Sequence, residues 1–303
     1  MLESLHTKHP NAQIDILVRK GNDALFYGHP FLNAVLVWEK NQNRYANLWK
    51  LAKCIRKEKY NAVFNAHRFA SSGLLTMFSG SKVKSGFAKN PFSFSFTHEW
   101  KHEFDGKHET ERNQQLLSPI VSGMTVSKPE LYPRPADYDK VKAYKVNSYR
   151  CMAPTSVWYT KQWPKEKWIE LCDSLPEGDS IYLLGAPSDK DICHNISASS
   201  KHPQIKNLAG ELTLLQSAAL MEDAIQNYVN DSAPMHLASS VNARITAIYC
   251  STIPKFGFGP LSDDSKIVET SKSLDCRPCG VHGHKACPMG HFDCSKIEIS
   301  EVA

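Results

Sequence analysis

No apolar run in these 303 residues approaches the length of a bilayer-spanning helix, which excludes a transmembrane-helix class. The opening residues, MLESLHTKHPNAQ, hold no apolar signal core, so the expected location is the cytoplasm. Internal repeats and low-complexity tracts are also missing, so solenoid and disordered classes drop out. What remains is ordinary for a globular protein: 42% hydrophobic and 22% charged residues. The length exceeds one ordinary core, which predicts two domains.

Charge is unevenly spread. Residues 1–145 carry 22 Lys+Arg against 13 Asp+Glu, a balance of +9, and residues 146–303 carry 14 against 18, a balance of −4. A basic half suits an anionic partner: nucleic acid, anionic lipid head groups or phosphorylated sugars. A solvated lysine-rich surface fits the charge equally well.

Along the chain, apolar runs predict strands at 14–18, 34–38, 61–66 and 83–87. Between them Tyr45, Leu48, Trp49, Ala52 and Ile55 recur at helical spacing. Residues 90–109 are irregular and aromatic, and 129–139 read as a proline-rich linker. A second alternation follows, with strands at 149–153, 180–185, 205–208, 224–229 and 243–250. Helices are expected at 165–175, 188–199, 213–223 and 234–240. Two successive strand–helix alternations predict an α/β protein of two Rossmann-like domains with parallel sheets and a ligand cleft between them. The expected domains are 1–140 and 146–303, the latter with a Cys-rich tail at 276–294.

Three segments carry chemistry. The first, APTSVWYTKQWP (153–164), ends a strand with Thr155, Ser156, Thr160 and Lys161, the groups a diphosphate needs. The second, VNDSAPMH (229–236), opens a helix capped by Ser232 with Pro234 in its first turn. Its N-terminus favours phosphate, whereas Asp231 suits sugar hydroxyls and His236 the loop or the phosphate. The third pairs GAPS at 185–188 with NLAGEL at 207–212, where small residues let a base and ribose approach the backbone. Taken one at a time, each also reads as a plain loop, a capping carboxylate or a satisfied histidine.

Together SVWYTKQWPKEKW, GAPSD, NLAGELTLLQSAALM and VNDSAPMHLASS resemble the C-terminal half of family 9 glycosyltransferases, which include the lipopolysaccharide core heptosyltransferases. The likeness continues upstream through IDILVRKGN, HRFASSG and HETERN, and downstream through LDCRPCGVHGHKACPMGHFDC. It implies a GT-B fold and an inverting transfer from an ADP-sugar without a catalytic cofactor. Ser156 and Lys161 then match the diphosphate positions, and Asp231 the acid that binds the donor sugar. Lys161 and Asp231 are thereby cast as the catalytic pair. Ser232, Ala233 and His236 lie at the phosphate-facing helix start, Gly185 lies at a donor-side strand end, and Leu212 falls where the family contacts adenine. Ala233 replaces a common glycine. The implied partner is a phosphorylated, lipid-linked saccharide acceptor met at the inner face of the inner membrane. A monomer that binds no nucleic acid is expected.

The front of the chain departs from the family pattern. Met1-Leu2-Glu3-Ser4-Leu5-His6 matches the helix after the family's glycine–aspartate loop, whose aspartate is the expected base. Residues 297–303 supply little of the closing helix. A chain clipped at both ends is therefore expected, and an inactive sugar-nucleotide-binding remnant is the alternative. Glu109, Glu111 and His108 lie in the acceptor half without an assigned role.

The nine cysteines fall into two groups. Cys54, Cys151, Cys172, Cys193 and Cys250 are scattered among apolar segments and read as reduced, small hydrophobes. Cys276, Cys279, Cys287 and Cys294 lie within nineteen residues, a spacing that fits a closed structural zinc site. A metal-free reduced loop is the competing expectation.

Overall fold

The computed structural model describes residues 1–41, 43–123 and 126–303. They form two compact units, Met1–Ser127 and Lys128–Ala303. No described helix is long and apolar enough to cross a membrane.

The first unit runs α1 (Leu2–Lys8), β1 (Ile14–Arg19), β2 (Leu32–Trp38), α2 (Arg44–Glu58), β3 (Ala62–Asn65), α3 (Ala70–Phe78), β4 (Val83–Phe87), β5 (His98–Trp100) and α4 (Glu109–Gln114). Strands β1 and β2 pair in parallel as one sheet, and β3, β4 and β5 make a second, also parallel. Leu48, Ala52 and Ile55 face inward from α2, and Leu75 of α3 joins them. Tyr45 and Trp49 do not follow. They fall at helical spacing, yet they are 76% and 54% exposed. The buried stripe is centred on Leu48, Ala52 and Ile55, and residues 45 and 49 lie on its far shoulder.

The second unit runs α5 (Pro135–Val141), β6 (Tyr149–Ala153), α6 (Lys165–Ser174), β7 (Ser180–Leu183), α7 (Lys190–Ser199), β8 (Ile205–Asn207), α8 (Leu214–Glu222), β9 (Gln226–Asn230), α9 (Ala233–Ser240), β10 (Ile245–Tyr249), β11 (Ser265–Glu269) and α10 (Ile299–Val302). Its six strands are all parallel, in the order β11-β10-β9-β6-β7-β8. Side chains alternate between the faces because the strand period is two. Tyr149, Cys151 and Ala153 point to the layer holding Leu220 of α8 and Met235 of α9. Met152 points to the opposite layer, with Trp168, Leu171 and Cys172 of α6. Both faces are thus covered, as parallel sheets require. The expected apolar face of α6 is the buried one. The proline-rich segment contributes α5, which packs on α8. Strand β11 went unforeseen: it is an edge strand in which only Val268 is buried, so it lacks an apolar run.

The order reverses between β6 and β9, whose chain neighbours lie on opposite sides of the sheet. In such sheets ligands bind beyond the carboxyl ends of the strands at this switch point.

Candidate functional site

The loops after β6 and β9 meet at the switch point, and Asn230 joins them. This fully buried side chain accepts from the Trp163 backbone N–H at 3.0 Å and donates to the Ala153 carbonyl at 3.4 Å. The β6 loop is thereby fixed against the end of β9.

One residue on, Asp231 is 5% exposed. Lys161 Nζ lies 2.6 Å from Asp231 Oδ2, and Thr252 Oγ1 donates to that same oxygen at 2.6 Å. Among the described residues none donates to Oδ1. The structure therefore brings Lys161 and Asp231 together as a nearly buried ion pair with one carboxylate oxygen left over. Such a pair holds only if both charges are compensated, and losing one partner strands the other.

Ser232 adopts the extended N-cap conformation that starts α9, and its hydroxyl lies 3.4–3.5 Å from the carbonyls of Asn230 and Thr155. The Ser156 carbonyl accepts from Gln162 Nε2 at 2.6 Å, which closes the loop before Lys161. Ala233 and His236 are exposed on the first turns of α9.

Gly185 and Leu212 lie farther along the same sheet edge, beyond β7 and β8. A Cβ at Gly185 would sit 2.9 Å from Asp189 Cβ. Gly210 has φ +78, and a Cβ there would sit 2.9 Å from Pro187 Cα. Both positions need glycine for this close approach. Leu212 is half-buried against the α8–α9 layer.

The Cys-rich segment supplies a part that sequence reasoning missed. Arg277 donates to the carbonyls of Cys250 at 2.7 Å and Thr252 at 2.8 Å, and pairs with Glu269. It braces the end of β10, which carries Thr252 to Asp231. Gly283 fits where a Cβ would meet Thr160 Oγ1 at 2.9 Å and Lys161 Cγ at 3.2 Å. The His284 backbone N–H donates to Thr160 Oγ1 at 2.8 Å. This tail thus packs on the stem of Lys161. In the sequence Arg277 shows only as one charge between two cysteines.

The four clustered cysteines do not form a closed metal set in this structure, although Cys276, Cys279 and Cys287 lie within electrostatic reach of Cys294. Among the described residues no three His, Cys, Asp or Glu side chains converge as a metal-binding group. Cys294 is 5% exposed within the apolar layer beneath α6, and burial pushes its thiol up to about 11. Cys279 Sγ donates to the Cys276 carbonyl at 3.1 Å, and Cys276 Sγ faces His291 Nε2 at 3.8 Å. Cys151, Cys172, Cys193 and Cys250 are buried, as expected of small hydrophobes, whereas Cys54 is half-buried.

In the first unit, the residues left without a role have structural ones. His108 and Glu111 form the capping box of α4. Glu109 pairs with buried His102 at 3.0 Å and accepts from buried Arg112 Nε at 2.8 Å. The nearby cavity of about 270 Å³ is lined by Trp100, Lys107, Glu111 and Arg112 among others. It is remote in sequence from the Lys161–Asp231 pair.

Comparison with known proteins adds a family match, two relatives and two solved structures. Residues 48–290 match the profile of glycosyltransferase family 9 (heptosyltransferase). Over 270 residues the chain is 25% identical to lipopolysaccharide heptosyltransferase 3 of Escherichia coli, covering 83% of this chain and 78% of that one. Over 112 residues it is 32% identical to lipopolysaccharide heptosyltransferase 2 of Escherichia coli K12, covering 36% and 32%. Its fold is similar to that of an ADP-heptose lipopolysaccharide heptosyltransferase II from E. coli, with TM-score 0.77, 20% identity and coverage of 91% and 89%. An E. coli heptosyltransferase solved with ADP gives TM-score 0.70 at 18% identity, covering 88% and 86%.

Proposed function

Because the chain belongs to glycosyltransferase family 9, the heptosyltransferase family, and is thus a glycosyltransferase of GT-B fold, we propose that it moves a heptose from ADP-heptose to a phosphorylated, lipid-linked core saccharide, with inversion at the anomeric carbon. The observation that carries this reading is the Lys161–Asp231 pair at the β6–β9 switch point, beside the start of α9.

In this reading the donor diphosphate lies at the first turn of α9 and takes Lys161 from Asp231. The free Oδ1 and the released Oδ2 of Asp231 then accept from sugar hydroxyls. Ser156, Ser232, Ala233 and His236 line the diphosphate, and Gly185 and Leu212 the nucleoside. An acceptor hydroxyl oxygen attacks the anomeric carbon as the bond to the β-phosphate oxygen breaks. ADP leaves with that electron pair, and Lys161 and the helix dipole stabilise the charge. The hydroxyl proton passes to a base; no residue is assigned to that role. The reading also implies a cytoplasmic protein beside the membrane that holds its acceptor.

The test is ADP release from ADP-heptose with and without a phosphorylated core acceptor. Acceptor-dependent release, with an inverted glycoside as product, is expected. ADP binding without transfer would leave only a donor-binding remnant, and absence of both would remove the reading.

A further inference from the structure

The outer face of α2 is basic and aromatic. Tyr45, Trp49, Lys50, Lys53, Arg56 and Lys57 are all exposed, and at 100° per residue they share one face of the helix. The only acidic residue of α2, Glu58, lies on the flank. Four cations and two aromatic rings thus stand together with no carboxylate among them. The first unit as a whole carries 17 Lys+Arg against 10 Asp+Glu, a balance of +7.

This face is also pre-shaped. The Trp49 ring packs on Phe78 at 5.3 Å, Arg56 Nη1 donates to the Phe78 carbonyl at 3.3 Å, and the Arg44 guanidinium lies 5.7 Å from the Tyr45 ring centroid. Exposing Tyr45 and Trp49 to water forgoes burial of two large rings.

We propose that α2 docks the protein on an anionic lipid surface. Tyrosine and tryptophan settle at head-group depth, lysine stems lie along apolar surface while their ammonium groups stay in water, and anionic head groups attract the cations. Nucleic acid presents the same phosphate charge. A single helix face is a ridge, however, with no groove to follow a strand, and a lipid surface suits a ridge. Docking stands on the face of α2 alone; its use, bringing the enzyme to a lipid-linked acceptor, rests on the function proposed above.

The test is co-sedimentation of the full chain with vesicles of phosphatidylcholine alone, or of phosphatidylcholine and phosphatidylglycerol in equal parts, with no saccharide present. Binding to the anionic vesicles only, weakening as salt rises, is expected. Each of Lys50→Gln, Lys53→Gln and Lys57→Gln should lower the partition coefficient about fivefold, and the triple variant on the order of a hundredfold. Tyr45→Ala with Trp49→Ala should weaken binding at every salt concentration. Unchanged circular dichroism and an unchanged denaturant-unfolding transition of the first unit would show that the variants fold. Wild-type partitioning by the triple variant, equal binding to both vesicles, or binding to single-stranded RNA with none to vesicles would overturn the proposal. Turnover without vesicle binding counts against docking alone, and vesicle binding without turnover counts against the proposed function alone.

Discussion

Lys128–Ala303 holds one six-stranded sheet with eighteen buried hydrophobic residues in each of its two layers. Among the described residues, Met1–Ser127 divides five strands between two sheets, and its cluster around α2 gathers four. The difference follows from sequence. In the second unit, runs such as YRCMA and ITAIY fill both faces of a parallel sheet, whereas in the first the strands are mostly half-buried. The candidate donor residues sit on the better-buried unit, fixed by Asn230, Thr252 and Arg277. Precise chemistry needs a rigid frame. The charge and exposed aromatic rings of the first unit suit a surface that meets other molecules.

The largest expected effect is on catalysis. Lys161→Gln should lower kcat/KM about a hundredfold or more, since in the proposed reading it removes the cation facing the leaving group. Steady-state assays with ADP-heptose check this, and a loss below about threefold would dissolve the link between the buried frame and the chemistry.

Stability comes next. Trp168 is 1% exposed in the layer beneath the sheet, and Trp168→Ala should cost about 4 kcal/mol. Leu75→Ala, at 4% exposure in the first unit's cluster, should cost about 3 kcal/mol. Denaturant unfolding followed by separate probes in each unit should show each substitution moving a different transition. A single shared transition would break the comparison.

Arg277→Ala should be milder in stability, costing about 2 kcal/mol, but should also raise the donor KM because Thr252 and Asp231 lose their brace. Donor and acceptor KM values measured together separate this from general loosening, which would move both.

The smallest effect is acid sensitivity. Asp179 is held below the usual carboxylate range by the Ser148 hydroxyl and then by Arg150 Nε at 2.8 Å. A depressed folded pKa adds stability that is fully present above the unfolded value and is lost as pH falls through the folded one. Asp179→Asn should therefore flatten the acid limb of the second unit's unfolding curve. An unchanged limb would assign that acid sensitivity elsewhere.

Much of the second unit was legible because its signals agree. Apolar runs bounded by turns mark β6 and β10, and the Trp168–Leu171–Cys172 stripe marks α6. The loops carrying Lys161 and Asp231 were legible as strand ends. Their 2.6 Å approach was not, because residues 70 apart are joined only by strand order. Thr252 and Arg277 were missed for the same reason. Tyr45 and Trp49 misled because helical spacing groups residues without saying how wide the buried stripe is. The burial of Cys294 was not legible from the spacing of the four clustered cysteines.

The most direct test of the account is calorimetric titration of ADP into the wild-type chain, Lys161→Gln and Asp231→Asn. The account predicts that ADP binds the wild type and loses about tenfold or more in affinity with Lys161→Gln. It predicts that Asp231→Asn holds or gains affinity for ADP, because the carboxylate no longer competes for Lys161, while losing the added affinity that the heptose of ADP-heptose provides. Wild-type ADP affinity in Lys161→Gln would contradict it.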